Sequence, residues 1–295
     1  MSLRDELRIA PGEAVNLESI DPAATPGLPK HLKGRKTWTR DRLVELGDRL
    51  ARRQEELFAN PRVSQTRQRV LLVLQAMDCG GKDGTIRRVA GTMNPQGLSV
   101  VAFGKPTKEE LEHDFLWRIR RGVPAPGQIG IFNRSHYEDV LVVRVHDLVP
   151  KRTWMARYKK INDFEASLVR DDVTIIKVML HISFAEQGKR LYERLCDPTK
   201  YWKFNPADID ERAYWDSYQA AYADALTRCS TEDAPWYVVP ANHKWYRDWA
   251  IATILADTLD DLGLHYPPPD FDVDVQRARL LAEAGQAGAA VMTSK

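Results

Sequence analysis

Residues 69–85, RVLLVLQAMDCGGKDGT, restrict the fold of this chain more than any other stretch. RVLLVLQ is a short, unbroken apolar run, the pattern of a strand covered on both faces inside a parallel sheet. A glycine loop follows at once, and residues 85–92 read as the start of a helix. Strand, glycine loop and helix, in that order, form the context of a phosphate-binding loop. The loop departs from the common Walker A pattern G-x-x-x-x-G-K-[ST]. Gly81-Lys82 are in place, but Ala76 stands at the first glycine. Asp83 stands where a Ser or Thr hydroxyl holds Mg²⁺.

Several groups in this loop suit an anion. The N–H groups of Gly80, Gly81 and Gly84 can converge on one concavity, the following helix adds its positive end, and Lys82 adds a mobile cation. Asp78, four residues before Lys82, can hold Mg²⁺ directly or through water, or accept a proton from an attacking group. Asp83 reads either as a site residue or as an acid stabilising the helix start. Cys79 reads as a small residue suited to a tight turn rather than as a redox switch.

Further apolar runs recur at 98–103, 128–132, 173–180 and 236–241, with helical patterns between them. That alternation predicts an α/β fold: a doubly wound, parallel five-stranded sheet flanked by helices. Residues 1–36 read as an extended arm, and 39–58 as a helix capped by Thr39. Thr107 opens a capping box ahead of a helix through Phe115 and Ile119. Ser183 opens a second one, ahead of a helix with Leu191 and Leu195 inward and Lys189, Arg190 and Arg194 on its surface. The helical block 183–230 is too long for a simple crossover and is expected to form a lid. The expected divisions are an arm and helix (1–60), a core with its lid (61–270) and an Ala-rich, fraying tail (271–295).

Composition narrows the function classes. Lys and Arg number 43 against 41 Asp and Glu, a net charge of +2, which does not suit a broad nucleic-acid-binding surface. Three scattered cysteines argue for a reducing compartment, and no apolar run spans a membrane, so a cytoplasmic protein is expected.

The second informative stretch is IGIFNRSHYEDV, 129–140, where an apolar strand ends in polar residues. Phosphate-loop enzymes usually carry a Mg²⁺-organising Asp there, and Asn133 takes its place. Arg134 follows, aimed from a strand end toward the phosphates. Glu138 falls one helical turn from Arg134 and can face the same site, or it can serve as a helix N-terminal acid. His136 is read equally as a phosphate partner or a packing residue. Trp202, Trp215 and Tyr218 are read as packing rather than base-stacking residues.

Taken together, VLQAMDCGGKDGTI, FNRSHYEDVLVVRVH, DPTKYWKF and APWYVVPANHKWYRDWA resemble the polyphosphate kinase 2 family over roughly residues 30–265. The resemblance implies a P-loop kinase fold in which the loop grips inorganic polyphosphate and a nucleotide lies opposite, beneath the lid. It implies Mg²⁺ as cofactor, with Mn²⁺ as the alternative ion. Asp78 matches the aspartate that works with the metal, and Lys82 the lysine on the phosphates. Asn133, Arg134 and Glu138 match a subgroup pattern, N-R-S-x-Y-E-D, associated with both AMP and ADP as acceptors. Adenine nucleotides are therefore the expected acceptors, with other purine nucleotides open, and a homo-oligomer, dimer or tetramer, is expected. A polyphosphate chain is charged at every phosphate and needs a line of cations. Candidates are Lys82, Lys105, Arg134, Lys189, Arg190, Arg194, Lys200 and Lys203. Two other readings stand beside this one. An ATP-dependent P-loop kinase of a small substrate is disfavoured by Asp83, and a non-catalytic polyphosphate-binding module by the presence of Asp78, Lys82 and Arg134.

Overall fold

Five apolar runs form five parallel strands: β1 (Arg69–Ala76), β2 (Leu98–Ala102), β3 (Ile129–Asn133), β4 (Val173–His181) and β5 (Trp236–Pro240). The computed structural model describes residues 2–29, 31–64 and 66–293. The strand order is β2-β3-β1-β4-β5, so β1 lies at the centre with β3 and β4 on either side. Side chains alternate across a strand. On β1, Val70, Leu72 and Leu74 join one core layer, while Leu71 and Val73 join the other. Each of these five is 0–1% exposed, and burying each stabilises the fold by about 1.5–3 kcal/mol.

The helices, in chain order, are α1 (Leu3–Leu7), α2 (Arg35–Val63), α3 (Lys82–Val89), α4 (Lys108–Leu111), α5 (Trp117–Gly122) and α6 (Val142–Val145). They continue with α7 (Lys151–Arg170), α8 (Phe184–Leu195), α9 (Ala207–Asp210), α10 (Trp215–Cys229), α11 (Lys244–Asp261) and α12 (Val273–Thr293). Helices α2 and α11 cover one face of the sheet, α7 and α10 the other. In open α/β sheets, ligands bind beyond the strand C-termini where the winding reverses, which here is the crevice beside β1.

Several expectations change. The segment before α2 is not simply an extended arm: it contains α1, buries Leu3, Leu7 and Ile9, and bonds Ile9 N–H to Trp236 O on β5. Helix α2 starts after Gly34, so Thr39 lies inside it, buried, with its hydroxyl on Arg35 O. Helix α3 begins at Lys82 rather than Thr85, which places Lys82 and Asp83 in its first turn. β2 is an edge strand and leaves Val100 exposed. The Thr107 capping box forms, but its helix ends at Leu111, and Ile119 belongs to the separate α5. At Ser183 only half of the box exists, because Glu186 turns its carboxylate to Arg190. Leu195 points outward and Arg190 inward, the reverse of the expected arrangement. Beyond the prolines the tail forms α12, Val273–Thr293.

Candidate active site

The β1–β3 register decides what meets at the crevice. Leu74 pairs with Asn133, so the glycine loop and the Asn133-Arg134 turn leave the sheet side by side. Arg134 Nη2 donates to Asp78 Oδ1 at 2.9 Å, and Asn133 Nδ2 to Asp83 Oδ1 at 2.9 Å. Arg134 and Cys79 both adopt left-handed backbone, at φ 65° and 61°. That conformation costs a residue with a side chain about 1–2 kcal/mol and concentrates at functional sites. Lys82 is buried and donates to Ala76 O at 3.0 Å. Burial holds its pKa below the ordinary lysine value, reinforced by the Arg134 charge. Burial works against ionising Asp83, yet the Asn133 amide and Lys203 Nζ, at 3.5 Å, hold it below the usual carboxylate range. Burial also pushes the Cys79 thiol up, away from the thiolate a redox switch needs.

These groups line one cleft of about 900 Å³. Its wall holds nine cationic side chains: Lys82, Arg87, Arg134, Arg190, Arg194, Lys200, Lys203, Lys244 and Arg247. Four carboxylates face them: Asp78, Asp83, Glu193 and Asp208. Lys200 pairs with Asp197 at 2.6 Å, and Arg194 bonds Lys203 O at 3.0 Å. Trp202 is 78% exposed on the same wall, so packing is not its role.

Not every expected site residue presents free donors to the cleft. The Gly80 N–H donates to Met77 O at 3.0 Å and is spent inside the turn; Gly81, Lys82, Asp83 and Gly84 line the cleft instead. Lys105 lines a neighbouring cleft of about 510 Å³, joined to the first at Ala102, Phe103 and Gly104. Glu138 does not line the cleft; it raises the Arg134 pKa against the opposing effect of burial. Arg190 spends all five N–H donors: Nε on Glu186, Nη1 on the Cys79 and Gly80 carbonyls, Nη2 on those of Ala241 and Asn242. His136 is a packing residue, 1% exposed, with Nε2 on Glu165 at 3.1 Å.

The family model described as polyphosphate kinase 2 matches residues 41–265 of this chain. The chain belongs to the polyphosphate kinase 2 family. It is 48% identical over 263 residues to the AMP/ADP-polyphosphate phosphotransferase of Meiothermus ruber, covering 89% of this chain and 95% of that protein. It is 44% identical over 232 residues to the ADP-polyphosphate phosphotransferase of Rhodopseudomonas palustris, covering 75% and 78%. The crystal structure of polyphosphate kinase 2 from Arthrobacter aurescens superposes with a TM-score of 0.90 at 47% identity, over 95% of this chain and 96% of that one. The chain is thus an enzyme, a phosphotransferase of the polyphosphate kinase 2 type.

One part of the site carried no assignment from the sequence. Arg247, on the first turn of α11, is buried beneath the loop, with Nη1 on Gly80 O at 3.3 Å and two donors on Asp248. Asp248 also accepts from Thr85 at 3.2 Å, which ties α11 to α3. A Cβ on Gly81, at φ 107°, would stand 1.8 Å from Arg247 Nη1, so only glycine fits there. The signal available was Arg-Asp one turn into a helix that follows an apolar strand.

The donors suit a hard divalent cation. Asp78 is 31% exposed at the cleft wall. The nearby Asp208 is held above the usual carboxylate range by burial and by the Asp78 charge, a crowding that a cation relieves. Among the described residues no three His, Cys, Asp or Glu side chains form a cage. Mg²⁺ needs none, since it binds one or two carboxylates and takes its other ligands from water and substrate phosphates.

Proposed function

We propose that this enzyme transfers the terminal phosphoryl group of inorganic polyphosphate to AMP and to ADP, giving ADP and ATP, and runs in either direction. The observation that carries the reading is the cleft: nine cations against four carboxylates, an excess of five, in a chain whose net charge is +2. Charge concentrated around one phosphate loop suits a polyanion better than a single small substrate. The phosphotransferase names of the relatives that cover most of this chain support the acceptors.

Phosphoryl transfer asks a protein mainly for in-line positioning and neutralisation of charge. Lys82 leaves the Ala76 carbonyl for an incoming phosphate, because a charge-assisted bond is the stronger partner. Arg134 is aimed by Asp78 and backed by Glu138 to meet the transferring group. Asp78 would hold Mg²⁺, which when bound neutralises donor and acceptor oxygens. Lys200, Lys203 and Lys244 line the outer cleft and suit the rest of the polyphosphate chain. The reading includes a homo-oligomer, dimer or tetramer, which sedimentation would reveal.

The test is ATP formation from long-chain polyphosphate and Mg²⁺, with AMP or ADP supplied separately and no ATP added. ATP from both, with ADP as intermediate in the AMP reaction, is expected. ATP from ADP alone would remove AMP from the reading, and none from either would overturn it.

A further inference from the structure

Helix α8 grips three consecutive carbonyls of the phosphate loop. Gln187 Nε2 donates to Asp78 O at 3.1 Å. One turn on, Arg190 Nη1 donates to Cys79 O at 3.0 Å and Gly80 O at 3.2 Å. Both side chains are buried, at 2% and 6% exposure. The peptide unit is planar and trans, so a carbonyl drawn toward α8 turns the next N–H the opposite way. The two side chains therefore set the direction of the N–H groups of Cys79, Gly80 and Gly81. Cys79 needs such a grip, since its left-handed backbone persists only where the surroundings over-determine it.

Gln187 has a second partner, and that partner lies in the lid. Its Oε1 accepts from Arg212 Nη1 at 2.7 Å. Arg212 also donates to Phe184 O at 3.1 Å and lies 3.7 Å over the Phe184 ring. Gly188 makes room for it: a Cβ there would stand 3.1 Å from Arg212 Nη2. A carboxamide has one accepting end and one donating end. With Arg212 holding the oxygen, the nitrogen must face Asp78 O.

We propose that Gln187 is a positioning residue for phosphoryl transfer, relaying the placement of Arg212 in the lid to the backbone of Asp78, with Arg190 fixing the next two carbonyls in the same frame. The kinetic part rests on the polyphosphate-to-nucleotide reading above. Helix α8 is bonded to the loop, and Arg212 belongs to the lid segment that follows Cys196. Through the Arg212–Gln187 bond, the placement of that segment registers at the backbone of Asp78, the residue assigned to the metal.

The test uses the full chain with Gln187→Leu, Gln187→Glu, Arg212→Ala and the Gln187→Leu/Arg212→Ala double variant. Two readouts are taken: ATP formation from polyphosphate and ADP, and amide hydrogen exchange across residues 77–86. Gln187→Leu is expected to lower kcat by about tenfold to a hundredfold, the scale of a small misplacement. KM for ADP should stay within about twofold, because no substrate contact is removed. Gln187→Glu keeps the Arg212 partner but cannot donate to Asp78 O, so it should lose kcat to the same degree. Arg212→Ala should lose less and add nothing on top of Gln187→Leu. Loop exchange should quicken in every variant. A prop with no part in positioning would lower the thermal midpoint and leave kcat in place. Wild-type kcat together with wild-type loop exchange in Gln187→Leu would overturn the proposal, as would losses that multiply in the double variant. If the unmodified enzyme forms no ATP, the functional reading fails, and loop exchange alone decides whether Gln187 holds the loop.

Discussion

Lys82 is the residue whose environment says most about its task. Its ammonium is buried with a single carbonyl partner, and burial with the Arg134 charge pulls its pKa below the ordinary lysine value. The charged form is thus under-satisfied until an anion arrives. Lys82→Ala should cost about 10²–10³-fold in kcat, the scale of one lost electrostatic contact to the transferring group, with the fold intact by circular dichroism. Because the shift is downward, the required proton leaves at lower pH than from an ordinary lysine. The alkaline fall of kcat/KM, which reports the free enzyme, should therefore begin below the usual lysine range. Asn133 carries a second prediction. Its amide donates to Asp83, so Asn133→Asp would set two carboxylates at hydrogen-bond distance and release Asp83 from its depressed pKa. The ratio of AMP to ADP turnover should change; equal loss with both acceptors would sink the idea that this neutral residue shapes acceptor choice.

At the scale of elements, the polar turn after β3 is anchored to a buried ionic network. Lys177 of β4, 0% exposed, meets Glu165 of α7, the Tyr137 hydroxyl at 3.0 Å and Cys229 O at 2.6 Å. Glu165 also accepts from Tyr137 at 2.9 Å and contacts His136 at 3.1 Å. Lys177→Met removes the main countercharge of buried Glu165 and should cost about 3–5 kcal/mol, measured by denaturant unfolding. Adding Glu165→Leu should recover part of that loss, since a packed apolar pair avoids the desolvation cost. Burial works to raise the Glu165 pKa, but Lys177 and His136 hold it below the usual range. Its stabilisation is therefore complete above the ordinary carboxylate pKa and is lost as pH falls through the lower folded value. The strands were legible because parallel strands covered on both faces read as unbroken apolar runs. Lys177 inside VTIIKVML was a signal left unused: a lysine in such a strand demands a partner. That partner is on another helix, and no local pattern names it. The α4–α5 break and the inward turn of Arg190 were illegible for a related reason. Periodicity gives a helix its faces but not what the neighbouring loop offers them.

For the whole molecule, net charge conceals the arrangement that matters. A balance of 43 cations against 41 acids reads as neutral, yet nine cations line one cleft with four acids. The loop and second motif pointed to that cleft, but the contribution of α11 through Arg247 needed the β5 crossover to bring residues 80 and 247 together. The cations also divide into two kinds. Arg190 and Arg247 spend donors on loop carbonyls and build the site, whereas Lys200, Lys203 and Lys244 are 34–58% exposed and free to rearrange onto substrate. Exposed cations bind a polyanion by releasing its counterions, and each contributes a unit-scale slope to the salt dependence. With about five cations engaged, affinity for long polyphosphate should fall on the order of 10²-fold between 50 and 200 mM salt, by analogy with single-stranded nucleic acid. Binding of ADP, with fewer charges, should fall far less. Lys200→Ala and Lys203→Ala should each reduce the polyphosphate slope by roughly 0.7 while leaving the ADP slope unchanged. Slopes read from kcat/KM titrations with the two substrates separate the outer cleft from the loop. Equal slopes for polyphosphate and ADP would mean that the donor chain does not run along these lysines.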